Sequence, residues 1–190
     1  ELVHVHAKEI DKLLCRTWSQ FFGQHCDDIS LIAVGGYGRG ELLPYSDIDI
    51  MILLRDDYHE QYNQAITDFV TFCWDVGLEV GHSVRTVDIC VAEAIKDVTV
   101  ITNIIESRLI LGAEKLYEQL RAAISPQHIW PSKDFFEAKL SEQRVRHHKY
   151  GDSAYSLEPN IKDGPGGLRD IHMILWTAKR HFDAENLHDL

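Results

Sequence analysis

Apolar residues along this chain recur with two different periods, and the switches between them lay out the expected elements. Ile10, Leu13, Leu14, Thr17, Trp18, Phe21 and Phe22 fall at helical spacing and predict a strongly amphipathic first helix ending at Gly23. Cys26 to Ser30 then turns into a different pattern. Leu31-Ile32-Ala33-Val34 and Ile48-Asp49-Ile50-Met51-Ile52-Leu53-Leu54 are short apolar runs without helical period, and both read as interior strands. After the polar turn Arg55-Asp56-Asp57, the positions Ile66, Phe69, Val70, Cys73 and Trp74 mark a second amphipathic helix stopped by Gly77, with a strand expected at Leu78 to Val80. From Asp97 the pattern is helical again: Val98, Ile101, Ile104 and Ile105 share one face, and Gly112 ends the element after Leu109-Ile110-Leu111. A further helix is expected over Ala113 to Ala123. Ser125-Pro126 and Trp130-Pro131 then punctuate the chain and mark a subdomain boundary, after which Ser132 is expected to cap a helix from Lys133 to Tyr150. The stretch from Glu158 to Asp170 reads as a loop feeding a last helix that carries Ile171, Ile174, Leu175 and Ala178. No repeats or low-complexity tracts interrupt this order.

Composition narrows the picture. A chain of 190 residues is long enough for one well-buried domain with a helical appendage. Its four cysteines, Cys15, Cys26, Cys73 and Cys90, are widely spaced with no C-x-x-C, and neither a hydrophobic leader nor a run of about 18 apolar residues is present. Reduced thiols, a cytoplasmic location and no membrane contact are therefore expected. A formal net charge of −11 argues against sequence-independent binding to nucleic acid, which draws most of its affinity from basic surfaces. A small anionic substrate can still bind locally, through backbone amides, a metal and a few arginines.

The candidate chemistry lies between the two interior strands. Gly35-Gly36-Tyr37-Gly38-Arg39-Gly40 is a glycine cluster that allows backbone N–H groups close to a ligand, and Asp47 and Asp49 stand at the mouth of the second strand. Side chains at i and i+2 of a strand share a face, so the two carboxylates converge while Ile48 and Ile50 turn to the core. At roughly 4 Å and an effective dielectric near 20 they would repel by about 4 kcal/mol. A bound cation removes that repulsion, and hard oxygen donors suit Mg²⁺, which takes one or two carboxylates and completes its shell with water and substrate phosphates. A plain hairpin with two solvated carboxylates is disfavoured by the Ile48, Ile50 and Met51 flanking Asp49. The glycines do not fit G-x-G-x-x-G, since Glu41 falls where the last glycine belongs, and no Gly-Lys-Ser/Thr marks a P-loop. Arg39 has two readings, a bidentate phosphate contact or a salt bridge to Glu41. Ser46 likewise fits either a hydroxyl contact to phosphate or turn chemistry. Arg144, Arg146, His147, His148 and Lys149 form the basic concentration of an acidic sequence, and the adjacent histidines point in different directions, which disfavours a shared metal.

Gly35-Gly36 after a strand, followed by Asp47-Ile48-Asp49 entering the next, resembles the signature of the DNA polymerase β-type nucleotidyltransferase superfamily. The longer string VGGYGRGELLPYSDIDI, with GHSVRT at Gly81 to Thr86 and EPNIKDGPGGLRDI at Glu158 to Ile171, resembles the N-terminal region of the bacterial bifunctional uridylyltransferase/uridylyl-removing family, which modifies the nitrogen-regulatory PII protein. The resemblance implies an α+β, polymerase β-like nucleotidyltransferase fold: a mixed sheet packed with helices, followed by a helical subdomain. It divides the chain into an N-terminal helix over 1–30, a nucleotidyltransferase core over 31–124 and a helical subdomain with the PGGLRD loop over 125–190.

It further implies transfer of UMP from UTP to a PII tyrosine, releasing pyrophosphate, with Mg²⁺ or Mn²⁺ required. Asp47 and Asp49 would hold the metal and help activate the hydroxyl, Gly35 and Gly36 would cradle phosphate, and Arg39 would assist. The superfamily's second glycine is often a serine, so with Gly36 here a hydroxyl contact would come from elsewhere, Ser46 being one candidate. A third carboxylate is expected on a later strand, with Glu79 the first candidate and Asp88 its rival. His82, Ser83 and Arg85 in GHSVRT would line the nucleotide pocket or form a structural turn. The Glu158 to Asp170 loop, with Lys162 and Arg169 beside it, would close over the triphosphate or the incoming protein, or serve as a rigid joint. A UMP-removing HD hydrolase domain and glutamine-sensing domains would lie outside this sequence, and His188-Asp189 reads as a chance HD dipeptide. Two alternatives stand beside this reading: a different nucleotidyltransferase, such as an adenylyltransferase, or a non-catalytic nucleotide-binding regulatory module.

Overall fold

The computed structural model describes residues 2–23, 27–55, 59–155 and 158–182; the expectations placed on Cys26, on Asp56-Asp57 and on His188-Asp189 lie outside them. Helix α1 (Leu2–Phe22) ends where Gly23 takes φ +76°, as its glycine predicts. It buries Leu14, Trp18 and Phe22, whereas Leu13, counted with the apolar stripe, is 40% exposed. Strand β1 (Ile29–Ala33), the short helical turn α2 (Gly35–Gly38), strand β2 (Ile48–Leu54) and helix α3 (His59–Asp75) follow. Then come β3 (Val80–Thr86), α4 (Val87–Lys96), α5 (Val98–Ile105), β4 (Arg108–Gly112), α6 (Glu114–Ala123), α7 (Ser132–Lys149) and α8 (Leu168–Phe182).

The four strands form one mixed sheet in the order β3-β2-β1-β4. β1 pairs antiparallel with both of its neighbours, and β2 pairs in parallel with β3. The two apolar runs therefore occupy the two interior positions, and their lack of period has a direct cause: helices cover both faces of the sheet. Ile48, Ile50, Ile52 and Leu54 join Leu14, Trp18 and Phe69 of α1 and α3 in one core cluster. Ile32, Met51 and Leu53 join residues of α4 to α8 in the other, among them Phe135, Met173 and Trp176.

Three elements differ from expectation. The strand foreseen at Leu78 to Val80 begins at Val80 and runs through Thr86, so GHSVRT is strand β3 itself rather than a turn. It is an edge strand buried only at Val80 and Thr86, which leaves its middle free to be polar and hides its period. Leu109-Ile110-Leu111 is not a helix end but the centre of β4. Three consecutive apolar residues satisfy either template, and pairing with β1 decides; a Cβ at Gly112 would stand 2.4 Å from the Ile29 carbonyl oxygen, so this end of β4 lies close against its neighbour. Helix α4, which the sequence did not announce, starts at the Thr86 cap, whose hydroxyl oxygen accepts from Ile89 N–H at 3.3 Å. Ser132, unlike Thr86, is not a cap: α7 starts on it, and its hydroxyl donates to the Arg180 carbonyl at 3.3 Å, tying α7 to α8.

Arg180 closes this half of the molecule. Its buried guanidinium donates to the carbonyls of Ile124 at 2.6 Å and Trp130 at 2.9 Å, and also to that of Ile129. It thereby supplies donors to a turn whose carbonyl groups leave the end of α6. No helix among the described residues is long and apolar enough to cross a membrane.

Candidate active site

β1 ends in extended backbone at Val34, and Gly35 then takes φ +59°, a conformation that a side chain disfavours. The glycine cluster is thus a tight helical turn, closed by Gly38 N–H to the Val34 carbonyl at 3.0 Å and Arg39 N–H to the Gly35 carbonyl at 3.2 Å. Val34 N–H donates to the Asp49 carbonyl at 3.0 Å, which fixes this turn to β2 at the residue that carries the candidate carboxylate.

Asp49 lies on the sheet face shared with Met51 and Leu53, opposite Gly81 in the parallel register. A Cβ built at Gly81 would come within 2.7 Å of Asp49 Oδ1, and one at Gly35 within 3.5 Å of Oδ2. Two missing side chains therefore make room for this carboxylate. Asp49 stays open to solvent, yet partial desolvation and then the neighbouring charge of Asp47 hold its carboxyl above the ordinary carboxylate range, while Lys162 pulls the other way. Asp47 is thus near enough for its charge to act on Asp49, and two like charges at that range favour a shared cation.

Glu79 precedes β3, and its carbonyl accepts from Ile48 N–H at 2.8 Å. It lines, with Asp47, Trp74 and Gly81, a concavity of about 550 Å³ that Asp49 does not line. No three His, Cys, Asp or Glu side chains among the described residues are grouped to hold a metal, so the donor set gathered here is the aspartate pair. Two hard carboxylates fit a Mg²⁺ or Mn²⁺ that takes its remaining ligands from substrate and water. Asp88, the rival carboxylate, is exposed in the first turn of α4.

The remaining candidates are dispersed around this centre. Gly36 has ordinary backbone, and a Cβ there would meet Arg39 Nη2 and the Glu41 carbonyl at 3.5 Å, so a larger residue fits. Arg39 makes ion pairs with Glu41 (2.9 Å) and with the buried carboxylate of Glu106 (2.7 Å), which also accepts from the Trp176 indole. Ser46 is exposed in the turn before β2, its N–H bonded to the Leu43 carbonyl at 3.1 Å. Arg85 sits four residues along β3 from Gly81 and pairs with Glu93 of α4 at 2.6 Å. Alternation places Ser83 on the Asp49 face and His82 on the opposite one, where its ring stands edge-on to Trp74 with centroids 5.8 Å apart.

Several supports had no local signal. Tyr37 donates to Asp11 at 2.5 Å, Arg108 grips the same carboxylate at 2.9 and 3.1 Å, and the rings of His4 and His6 donate to the carbonyls of Gly40 and Leu42 at 2.8 and 3.1 Å. Helix α1 thereby braces the segment between β1 and β2. These pairs span 26 to 97 residues, and only a folded chain brings them together.

The Glu158 to Asp170 segment is a tightly bonded loop. Asn160 Oδ1 accepts from Lys162 and Asp163 N–H at 3.0 and 2.8 Å, and Arg169 N–H donates to the Lys162 carbonyl at 3.0 Å. Asp170 anchors it to α7, accepting from Gln143 at 2.9 Å, His147 at 3.0 Å, Gly166 N–H at 2.7 Å and also from Arg146. Burial alone would raise the Asp170 carboxyl, yet the bonds from Gln143, Gly166 and His147 outweigh it and hold it below the usual range. His148 turns instead to Asp152 at 3.2 Å, so the adjacent histidines diverge as expected.

Comparison with known proteins fits this geometry. The family model described as a nucleotidyltransferase domain matches residues 8–111, and the one described as GlnD PII-uridylyltransferase matches residues 134–190. The chain is 55% identical over 189 residues to the bifunctional uridylyltransferase/uridylyl-removing enzyme of Pseudomonas putida (strain W619) and 56% identical to that of Pseudomonas entomophila (strain L48). In both cases the match covers 100% of this chain and 21% of the relative, so the chain spans about a fifth of the length of the curated relatives it matches.

Proposed function

The chain belongs to the nucleotidyltransferase domain family, and on that premise we propose that it transfers UMP from UTP to a tyrosine of a PII signal protein, releasing pyrophosphate. The observation that carries this reading is the Asp49 carboxylate, seated between Gly35 and Gly81 with Asp47 beside it. The relatives' name, uridylyltransferase/uridylyl-removing enzyme, supports uridylyl transfer in particular.

Asp47 and Asp49 would be the ligands of Mg²⁺ or Mn²⁺, with Glu79 on the adjoining wall as the candidate third carboxylate. The ion supplies Lewis acidity toward the phosphate under attack. Backbone N–H groups of Gly35 and Gly36 hold phosphate oxygens, and Ser46 and Arg85 are the further nucleotide contacts, while Arg39 stays on Glu41 and Glu106. The tyrosine oxygen forms a bond to the α-phosphorus as the bond to the bridging oxygen of the β-phosphate breaks, and pyrophosphate leaves. An aspartate oxygen of the pair takes up the hydroxyl proton. Lys162, whose charge acts on the Asp49 carboxyl, would meet the triphosphate from the loop side.

Incubation with Mg²⁺ or Mn²⁺, PII protein and each labelled nucleoside triphosphate tests this reading, with Asp47→Asn/Asp49→Asn as control. Label should reach PII from UTP alone and vanish in the control. Labelling from ATP in place of UTP, or labelling that survives in the double variant, would overturn it.

A further inference from the structure

A second cavity of about 530 Å³ opens beside the α2 turn, lined by α2, the α5–β4 connection, α6 and α8. Neither Asp47, Asp49 nor Gly35 reaches it. Its wall carries four cations, Arg39, Arg108, Arg121 and Lys179, against two carboxylates, Glu41 and Glu106. In a protein of formal charge −11 that concentration is unusual, and concave walls strengthen its field.

The two carboxylates are already engaged by Arg39, and Arg108 is held by Asp11 at 2.9 Å. Arg121 is bound more loosely: its hydrogen bond among the described residues runs to the Ile105 carbonyl at 3.4 Å, longer than a well-formed N–H···O contact. The rings of Tyr117 and Trp176 and the side chains of Leu109 and Leu175 supply an apolar wall. A volume in this range, with an apolar wall and a few convergent polar groups, is that of a small-molecule site.

We propose that this cavity is a second, phosphate-selective anion site, which takes a small oligophosphate: free pyrophosphate or the phosphate tail of a nucleotide. The loosely bonded Arg121 guanidinium, with Lys179 on the same wall and Arg39 able to exchange a carboxylate for the ligand, favours paired phosphate oxygens over a single carboxylate. The site is coupled to the aspartate pair by Arg39, whose side chain lines the cavity while its backbone N–H closes the turn at Gly35. An anion drawing Arg39 away from Glu106 would act on the turn that abuts Asp49. The site does not depend on the uridylyl-transfer reading, because none of its anion contacts is an aspartate of the pair.

Calorimetric titration of the chain with inorganic pyrophosphate in excess chelator tests it, since metal-dependent binding at the aspartates is then silent. Saturable binding with one site per chain is expected, equal in Asp47→Asn/Asp49→Asn, weakened at least tenfold in Arg121→Ala and in Lys179→Ala, and only partly restored by Arg121→Lys. Circular dichroism melts of these variants should match the parent. UTP competing for the same site would identify the nucleotide tail as a source, and pyrophosphate binding without UTP competition would identify the free anion. Absent saturable binding, equal affinity for succinate, loss of binding in the aspartate double variant, or unchanged affinity in Arg121→Ala/Lys179→Ala would each overturn the proposal.

Discussion

A methyl group added at position 81 would stand 2.7 Å from Asp49 Oδ1, and the atom in its way is the end of a side chain that can rotate. Gly81→Ala is therefore expected to keep its fold, with a melting temperature close to the parent's, while lowering the proposed metal-dependent UMP transfer at least tenfold as the carboxylate is pushed aside. Circular dichroism and the transfer assay read the two effects separately. Gly38 behaves differently, since a Cβ there would meet the Glu106 carbonyl oxygen at 2.4 Å and that of Ala33 at 3.0 Å, both backbone. Gly38→Ala should cost about 1–3 kcal/mol by urea unfolding, whereas Gly36→Ser, with 3.5 Å of clearance, should be near neutral. The sequence made the aspartates and the glycine turn legible because strand alternation and local spacing suffice for both. It read Gly81 as a turn residue, because the reason for that glycine is a carboxylate on another strand. The engagement of Arg39 by Glu106 was equally hidden, 67 residues away.

At the scale of elements, the helices with one apolar face and the two interior strands could be read from periodicity, while β3, β4 and α4 could not. Edge strands carry little burial, so β3 kept no alternation, and β4 is short enough to pass for a helix end. The loop before α8 illustrates how an element is held by one charge. Asp170 has a depressed pKa in the folded chain, so its contribution is present above the unfolded value near 3.8 and lost as pH falls through the folded one. Urea midpoints of the parent should therefore drop on acidification below about pH 4. Asp170→Asn should be less stable than the parent at pH 7, and the gap should narrow toward pH 3. A gap that stayed constant across that range would show that the carboxylate charge is not what anchors the loop.

In the whole molecule, one core cluster joins the sheet to the last two helices, since Phe135, Met173 and Trp176 pack with Ile32, Met51 and Leu53. A single calorimetric unfolding transition is expected for the chain, and removal of residues 125–190 should abolish cooperative unfolding rather than leave a folded nucleotidyltransferase core. Two resolved transitions would contradict this coupling. The pairing of β1 also has a consequence for synthesis on the ribosome. All five residues of β1 are buried, and one of its edges is covered only by β4, whose Arg108 pairs with Ala33. After β3 has been made, another 26 residues must be added before Gly112 exists, on the order of seconds at bacterial elongation rates. Through that interval the nascent chain presents an apolar strand with an open hydrogen-bonding edge, a template for wrong pairing that a chaperone holding the emerging chain would have to cover.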